Sequence, residues 1–347
     1  MNNSRTVKTL KITGLFGQYD VRIEFNDLTV IVGKNGLGKT TLLKILKGFT
    51  TGRHELNYVE ICESIEVIFE DGNIISYGII SDEMTKAVAG KGLLHHIMND
   101  EKGIETFFSQ IEGLNAVLTE EEKKDLAERF IEISMKDKRF IDTLTKGYGE
   151  VLQKNKSQIF SNKFHTRELI DSVNVRYIST VNISANAGNS IDLGNSIEKN
   201  LLDLAIHEEL RLLLKKADVA AVDAFKDQLN AFLKESGKFA ELDHNDWIFL
   251  TETGSSLNLG QLSSGERQLV YILATAANTC GKQTLFLMDE PEVSLHLSWQ
   301  EKIIDAIMGI HPQMQIIAVT HSPGIIMNGH MDAYVEMKDI LQVSGNV

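Results

Sequence analysis

Short apolar runs alternate with polar breaks at the start of this chain, and the period of the pattern changes further along. Between residues 7 and 33, VKTLKITGL, YDVRIEF and LTVIVG have the alternation of strands divided by turn signals. A helix is predicted over about 39–47, with Gly48 as the left-handed residue just beyond it. Segments 58–69 and 73–80 read as strands separated by the turn EDGN. From about 83 to 172 the pattern is helical, polar and weakly periodic, and a strand, VNVRYIST, returns at 173–180.

A helical hairpin is expected next. Asn195 is placed to cap its first helix, with Glu198 three residues on as in a capping box. Its second helix puts Val222, Phe225, Leu229 and Phe232 on one face and stops at Gly237. In the last third, QTLFLMD at 283–289 and QIIAVTH at 315–321 are continuous apolar runs, as strands covered on both faces are. Trp299, Ile303 and Ile307 recur at helical spacing between them. Strand, helix, strand implies a parallel pair joined by a right-handed crossover.

Composition narrows the class. With 347 residues, 43% hydrophobic and 24% charged, the chain is long enough to bury a sizeable core. Pro291, Pro312 and Pro323 are the only prolines, and no Pro-rich or Gly/Ser-rich linker interrupts the first 290 residues, which favours one domain with insertions. Cys62 and Cys280 form no CxxC pair, so neither a disulfide framework nor a cysteine-based zinc site is expected. No apolar stretch reaches the length of a membrane span, and MNNSRTVKTLKITG lacks the apolar core of a signal peptide. The expectation is a cytoplasmic protein with no membrane partner. Net charge is −13, which argues against a surface that binds nucleic acid all over. Residues 136–167 differ: Lys136, Lys138, Arg139, Lys146, Lys154, Lys156, Lys163 and Arg167 face only Asp137, Asp142 and Glu150. That window is either a solvated helical face or a docking surface for nucleic acid or an acidic partner.

GKNGLGKT at 33–40 fits G-x-x-x-x-G-K-[ST] in full, directly after a strand and opening a helix. Gly33, Gly36 and Gly38 let the backbone curl until its N–H groups face phosphate oxygens. Lys34, Asn35, Leu37 and Thr41 complete the expected nucleotide-binding segment. Lys39 is placed to reach the β- and γ-phosphates, and the Thr40 hydroxyl to ligate Mg²⁺. Such a loop needs a carboxylate to complete the metal site. Asp289 ends the buried strand LFLMD at the sheet edge where ligands bind, and Glu290 follows it, placed to activate water. His321 of THSP ends the next strand, from which it can meet a γ-phosphate. HEEL at 207–210 lacks the second histidine of HExxH, since Arg211 stands there, and reads as helix surface. LSSGERQ at 262–268 sets serines and a glycine at a helix start, an arrangement that suits an anion.

Together GKNGLGKT, LSSGERQ, LFLMDE and THSP resemble the Walker A, signature, Walker B and switch-histidine motifs of ABC-class ATPases. DEPEVSLHLSWQ is similar to the form found in the RecF, SMC and OLD-like group rather than in transporters. Within that group the chain looks most like the ATPases of Septu-type and retron-associated antiphage systems. The resemblance covers about residues 7–80, 173–182 and 248–330. It implies an α/β fold: a P-loop NTPase head of ABC type, with a mixed, largely parallel sheet, an antiparallel β subdomain and helical insertions. The expected division is head over 1–82, helical insertion over 83–172, a returning head strand over 173–185, a hairpin insertion over 186–246 and head again over 247–347.

The resemblance also implies ATP and Mg²⁺ as ligands and a head-to-tail dimer or larger oligomer. In that arrangement Ser263 and Gly265, with Glu266 beside them, meet the phosphate held by the other subunit. Departures are visible. The Q-loop glutamine is absent from VRYISTVNIS, where Thr180 and Asn182 are stand-ins, and Phe16 and Tyr19 are candidates for stacking on adenine. Few residues follow Pro323, so the Toprim nuclease domain of OLD proteins is expected to be missing. The expected function is an ATP-hydrolysing, dimerising switch that regulates a separate effector, a nuclease, in antiphage defence. DNA repair or DNA clamping, and a scaffold that uses ATP as slow-turnover glue, are the alternatives.

Overall fold

In the computed structural model of the chain, residues 5–78, 129, 159–161, 166–179, 190–192, 198–216, 218–244 and 246–344 are described. The strands among them are β1 (Val7–Leu15), β2 (Tyr19–Glu24), β3 (Leu28–Val32), β4 (Ser64–Phe69), β5 (Ile74–Gly78), β6 (Ile159–Ser161), β7 (Asn174–Ser179) and β8 (Ser190–Asp192). They continue as β9 (Glu198–Asn200), β10 (Lys238–Asp243), β11 (Asp246–Thr251), β12 (Ser256–Leu257), β13 (Thr284–Asp289), β14 (Gln315–Thr320), β15 (Tyr334–Glu336) and β16 (Leu341–Val343). The chain divides into two compact units: residues 1–8, 24–56 and 171–341 form one, and residues 9–23, 57–170 and 342–347 the other.

The first unit is built on a five-stranded sheet in the order β15-β3-β14-β13-β7, with every pairing parallel. Its central strands carry the two continuous apolar runs, and all twelve of their residues are buried. Each buried Leu, Ile, Phe or Met there contributes about 1.5–3 kcal/mol of transfer free energy, so the two strands hold the middle of the sheet. A three-stranded antiparallel sheet, β10-β11-β12, belongs to the same unit. The second unit carries most of a six-stranded sheet in the order β16-β2-β1-β4-β5-β6, in which β4, β5 and β6 pair antiparallel. The mixed α/β architecture with separate antiparallel sheets is the one expected.

Several boundaries differ from the expected ones. The helix after β3 runs Lys39–Thr51, through Gly48, and it is Gly52 at φ 68° whose N–H closes it on the Gly48 carbonyl at 2.9 Å. Phe49 and Thr50 are fully buried, and that packing outweighs the helix-breaking tendency of Gly48, about 1 kcal/mol. The first residues of the expected 58–69 strand form a short helix, Tyr58–Ile61, before β4 begins. The hairpin's first helix starts at Leu201 rather than after Asn195, which lies outside the described residues. Glu198 stands in β9, paired with Asp192 of β8, so it belongs to no capping box.

The hairpin's second helix, Val219–Leu233, buries Phe225, Leu229 and Phe232, leaves Val222 partly buried, and is followed by a single 3₁₀ turn ending at Gly237 (φ 67°). Phe225 meets Trp247 edge to face at 4.9 Å, and Phe232 meets Trp299 at 6.0 Å. Trp299, Ile303 and Ile307 are buried, but they lie on two helices, Leu297–Gln300 and Ile303–Ile310, rather than on the one expected from their spacing. HEEL is only half surface: His207 and Glu208 are exposed, whereas Glu209 is buried and its carboxylate accepts from Asn278 Nδ2 at 2.6 Å. Most of the expected 83–172 insertion, and with it nearly all of the basic window 136–167, lies outside the described residues. Among the described residues no helix is long and apolar enough to cross a membrane.

Candidate nucleotide site

Parallel register brings the motifs together. Asp289 pairs with Val319 of β14 and with Ser179 of β7, and Thr320 of β14 pairs with Val32 of β3. One residue beyond that row the chain reaches Gly33, Glu290 and His321. All three leave the same edge of one sheet, the edge at which open parallel sheets bind ligands.

The loop from β3 turns through Gly36 at φ 83° and Gly38 at φ 92°, left-handed positions open to glycine at little cost. Lys34, Asn35 and Gly36 are its exposed tip, Leu37 lies against Gly33, and Thr41 is partly buried in the first turn of the helix. Lys39 folds back beneath the loop. Its Nζ donates to the Gly33 carbonyl at 2.8 Å and to the Lys34 carbonyl at 3.1 Å, and lies 3.0 Å from His321 Nε2. Burial lowers its pKa, and Glu290, Asp289 and Glu292 oppose that shift.

Asp289 is buried at the end of β13. Its Oδ1 accepts from the Thr40 hydroxyl at 2.9 Å, and its Oδ2 accepts from the Tyr177 hydroxyl of β7 at 3.2 Å. Burial, and then the charge of Asp289, push the Tyr177 phenol up. Glu290 adopts φ 50°, rare outside glycine, and its Oε1 lies 3.0 Å from His321 Nε2. Non-glycine residues in that region carry strain of about 1–3 kcal/mol and gather at functional sites.

The signature segment opens the Ser264–Ala277 helix. Ser263 is its N-cap: Ser263 Oγ accepts from Glu266 N–H at 3.2 Å, and Glu266 Oε2 accepts from Ser263 N–H at 2.6 Å. Ser263 itself is exposed. Glu266 is buried, and its carboxylate is taken up within its own chain by Lys238 Nζ at 2.8 Å and the Ser236 hydroxyl at 2.6 Å. Gly265 is buried, and a β-carbon there would lie 2.6 Å from the Ser294 carbonyl oxygen, so the position calls for glycine. Glu266 and Gly265 therefore each have an intramolecular role that the motif alone does not disclose.

The geometry thus brings Lys39, Thr40, Asp289, Glu290 and His321 to one place. Tyr177, Glu292, Gln268 and Gln300 join the surrounding network without having been singled out from the sequence. Tyr177 carried one signal, a hydroxyl on the returning strand, where it is partly buried. Phe16, with φ 55° and substantial exposure, and Tyr19 belong to the second unit, and Thr180 and Asn182 lie outside the described residues.

A strand-to-helix phosphate loop beside a buried strand that ends in Asp-Glu, in a mixed α/β fold, defines a P-loop ATPase of ABC-like type. Residues 28–328 match the family described as "AAA domain, putative AbiEii toxin, Type IV TA system", and the chain belongs to it. It is 24% identical over 335 residues to the Septu protein PtuA of Bacillus thuringiensis, covering 92% of this chain and 72% of that protein. It is 25% identical over 361 residues to the retron Ec83 probable ATPase of Escherichia coli, covering 86% of this chain; it spans 64% of that relative's length. Among solved structures, an SMC head bound to the C-terminal winged-helix domain of ScpA shares its fold, with a TM-score of 0.53 at 13% identity over 97% of both chains.

Proposed function

We propose that the chain binds and hydrolyses ATP as a dimerising switch, and that it regulates a separate effector in antiphage defence. The observation that carries the enzymatic part is the convergence of Lys39, Thr40, Asp289, Glu290 and His321 at one sheet edge. Thr40 Oγ1 and Asp289 Oδ1, two hard oxygen donors 2.9 Å apart, suit Mg²⁺, which takes one or two protein ligands beside phosphate and water. Bound there, the ion would neutralise charge on the phosphate oxygens.

The remaining chemistry belongs to the side chains. Lys39 Nζ and Glu290 Oε1 each lie 3.0 Å from the same imidazole nitrogen, Nε2 of His321. That nitrogen either accepts from Lys39 or donates to Glu290, according to tautomer. A phosphate that draws Lys39 away frees Nε2 to carry the ring proton, moved from Nδ1 through solvent, and so to donate a hydrogen bond to Glu290. The histidine then orients the carboxylate as the base for an attacking water. Ser263, exposed at the start of the signature helix, meets the nucleotide of a second subunit. The test is Glu290→Gln: turnover falls by about 10²–10⁴-fold while ATP binding is retained. Near-normal hydrolysis would overturn the assignment.

The defence role rests on likeness to the Septu and retron proteins, and a nuclease is the effector we favour. A second reading, a DNA-repair or DNA-clamp ATPase, draws on the basic window 136–167. Stimulation of turnover by DNA with the chain alone would favour it.

A further inference from the structure

Glu292 lies where the histidine loop is held. It is buried, and its Oε1 accepts from three donors at the end of β14: the Thr320 hydroxyl, the His321 N–H at 3.1 Å and the Ser322 N–H at 3.3 Å. Its Oε2 is buried, with no hydrogen-bond partner among the described residues. Leaving a buried acceptor unmade carries a cost that an apolar side chain would avoid, so its presence calls for an explanation.

The surroundings supply one. Thr320 Oγ1 also accepts from Ser322 N–H at 2.8 Å, and the Ser322 hydroxyl donates to Gln300 Oε1 at 2.7 Å. Next to Glu292, the Pro291 carbonyl accepts from Gln268 Nε2 of the signature helix at 2.8 Å. Glu292 is therefore anchored on one side and gathers the backbone of 320–322 on the other. From that backbone the His321 ring reaches Lys39 and Glu290, each at 3.0 Å.

We infer that Glu292 is a positioning residue for His321. Its hydrogen bonds go to residues 320–322, and through them it fixes the turn from which the histidine orients Glu290. This deepens the proposed hydrolytic site and rests on that reading. Misplacement of a catalytic group by about 1 Å costs up to about 10²-fold in rate, which sets the size of the effect.

The experiment measures kcat, KM and nucleotide Kd for Glu292→Ala, Glu292→Gln and Thr320→Val. It also records the 15N imidazole signals of His321, assigned with His321→Asn. Glu292→Ala should lose about tenfold to hundredfold in kcat, with KM and Kd within about twofold of wild type. Thr320→Val, which removes one donor while keeping the β-branched shape, should lose severalfold in the same pattern. Glu292→Gln keeps an acceptor at Oε1 and should recover most of the loss. The His321 signals should move in the alanine and valine variants and stay in place in the glutamine variant. A residue serving stability alone would lower Tm without separating kcat from KM or shifting His321. Wild-type kcat with unmoved His321 signals in folded Glu292→Ala, or in Thr320→Val should the alanine variant not fold, would overturn the inference. If Glu290→Gln turns over normally, the hydrolytic reading fails, and the His321 signals still decide whether Glu292 holds the loop.

Discussion

At the scale of single residues, the site is a set of polar groups whose burial is offset by specific partners, and among the described residues Glu292 is only half served, at Oε1 but not at Oε2. Burial pushes its carboxyl up from the ordinary range, and the Thr320 hydroxyl and the backbone N–H groups only partly oppose this. A carboxyl raised in the folded state binds its proton more tightly there than in the unfolded chain. The stability it contributes is thus present in acid and is lost as pH rises through the elevated value. Glutamine cannot ionise, so Glu292→Gln should gain stability relative to wild type as pH is raised from about 4, the ordinary carboxylate value, towards neutrality. Thermal melts of both proteins across that range check this; the readout is the change in their Tm difference, and a constant difference contradicts it. The residues of the phosphate loop, Asp289, Glu290 and His321 were all legible in the sequence, because each motif constrains residue type and position together. The Tyr177–Asp289 bond was not, because it depends on strand register between segments more than a hundred residues apart. Neither was the clamp by Glu292, because only the side-by-side pairing of β13 and β14 brings Glu292 to residues 320–322.

At the scale of elements, the signature helix shows how a motif residue can serve the fold. Burial pushes Glu266 up, but Lys238, Ser236 and the Ser263 N–H outweigh it and hold the carboxyl below its usual range. Its ion pair with Lys238, at 2.8 Å, is nearly closed to solvent on the Glu266 side and partly open on the Lys238 side. A depressed carboxyl contributes stability above its unfolded pKa, and that contribution is lost as pH falls through the folded one. Glu266→Gln should therefore cost about 2–3 kcal/mol in urea unfolding at neutral pH, below the usual range for buried pairs because Lys238 keeps solvent access. The cost should shrink below pH about 4; a pH-independent cost would point to the cap hydrogen bond rather than the charge. Element type was legible wherever the period was strong, as in β13, β14 and the Val219–Leu233 helix. Ends were less so. Gly48 has the residue type of a helix stop, and only the burial of Phe49 and Thr50 shows that the helix continues to Gly52. Glu198 has the type for a helix cap, and only its pairing with Asp192 shows a strand.

At the scale of the whole molecule, the proposed switch is an assembly of two heads rather than a single nucleotide site. Glu290 and His321 share one edge of the sheet with the phosphate loop, whereas Ser263 caps a separate helix and is exposed. On the proposed reading, ATP holds two heads together with Ser263 facing the partner's nucleotide, and hydrolysis releases them. Glu290→Gln should then accumulate with ATP as a dimer or larger assembly, and adding Ser263→Arg should prevent assembly while leaving nucleotide binding intact. The most direct measurement is the mass in solution, by light scattering, of Glu290→Gln and of the Glu290→Gln, Ser263→Arg double variant, each with ATP and with ADP. The expected result is at least a doubling of mass for the single variant with ATP only, and no ATP-dependent change for the double variant. Equal masses for the single variant with ATP and ADP, or a double variant that assembles as readily, would contradict the account.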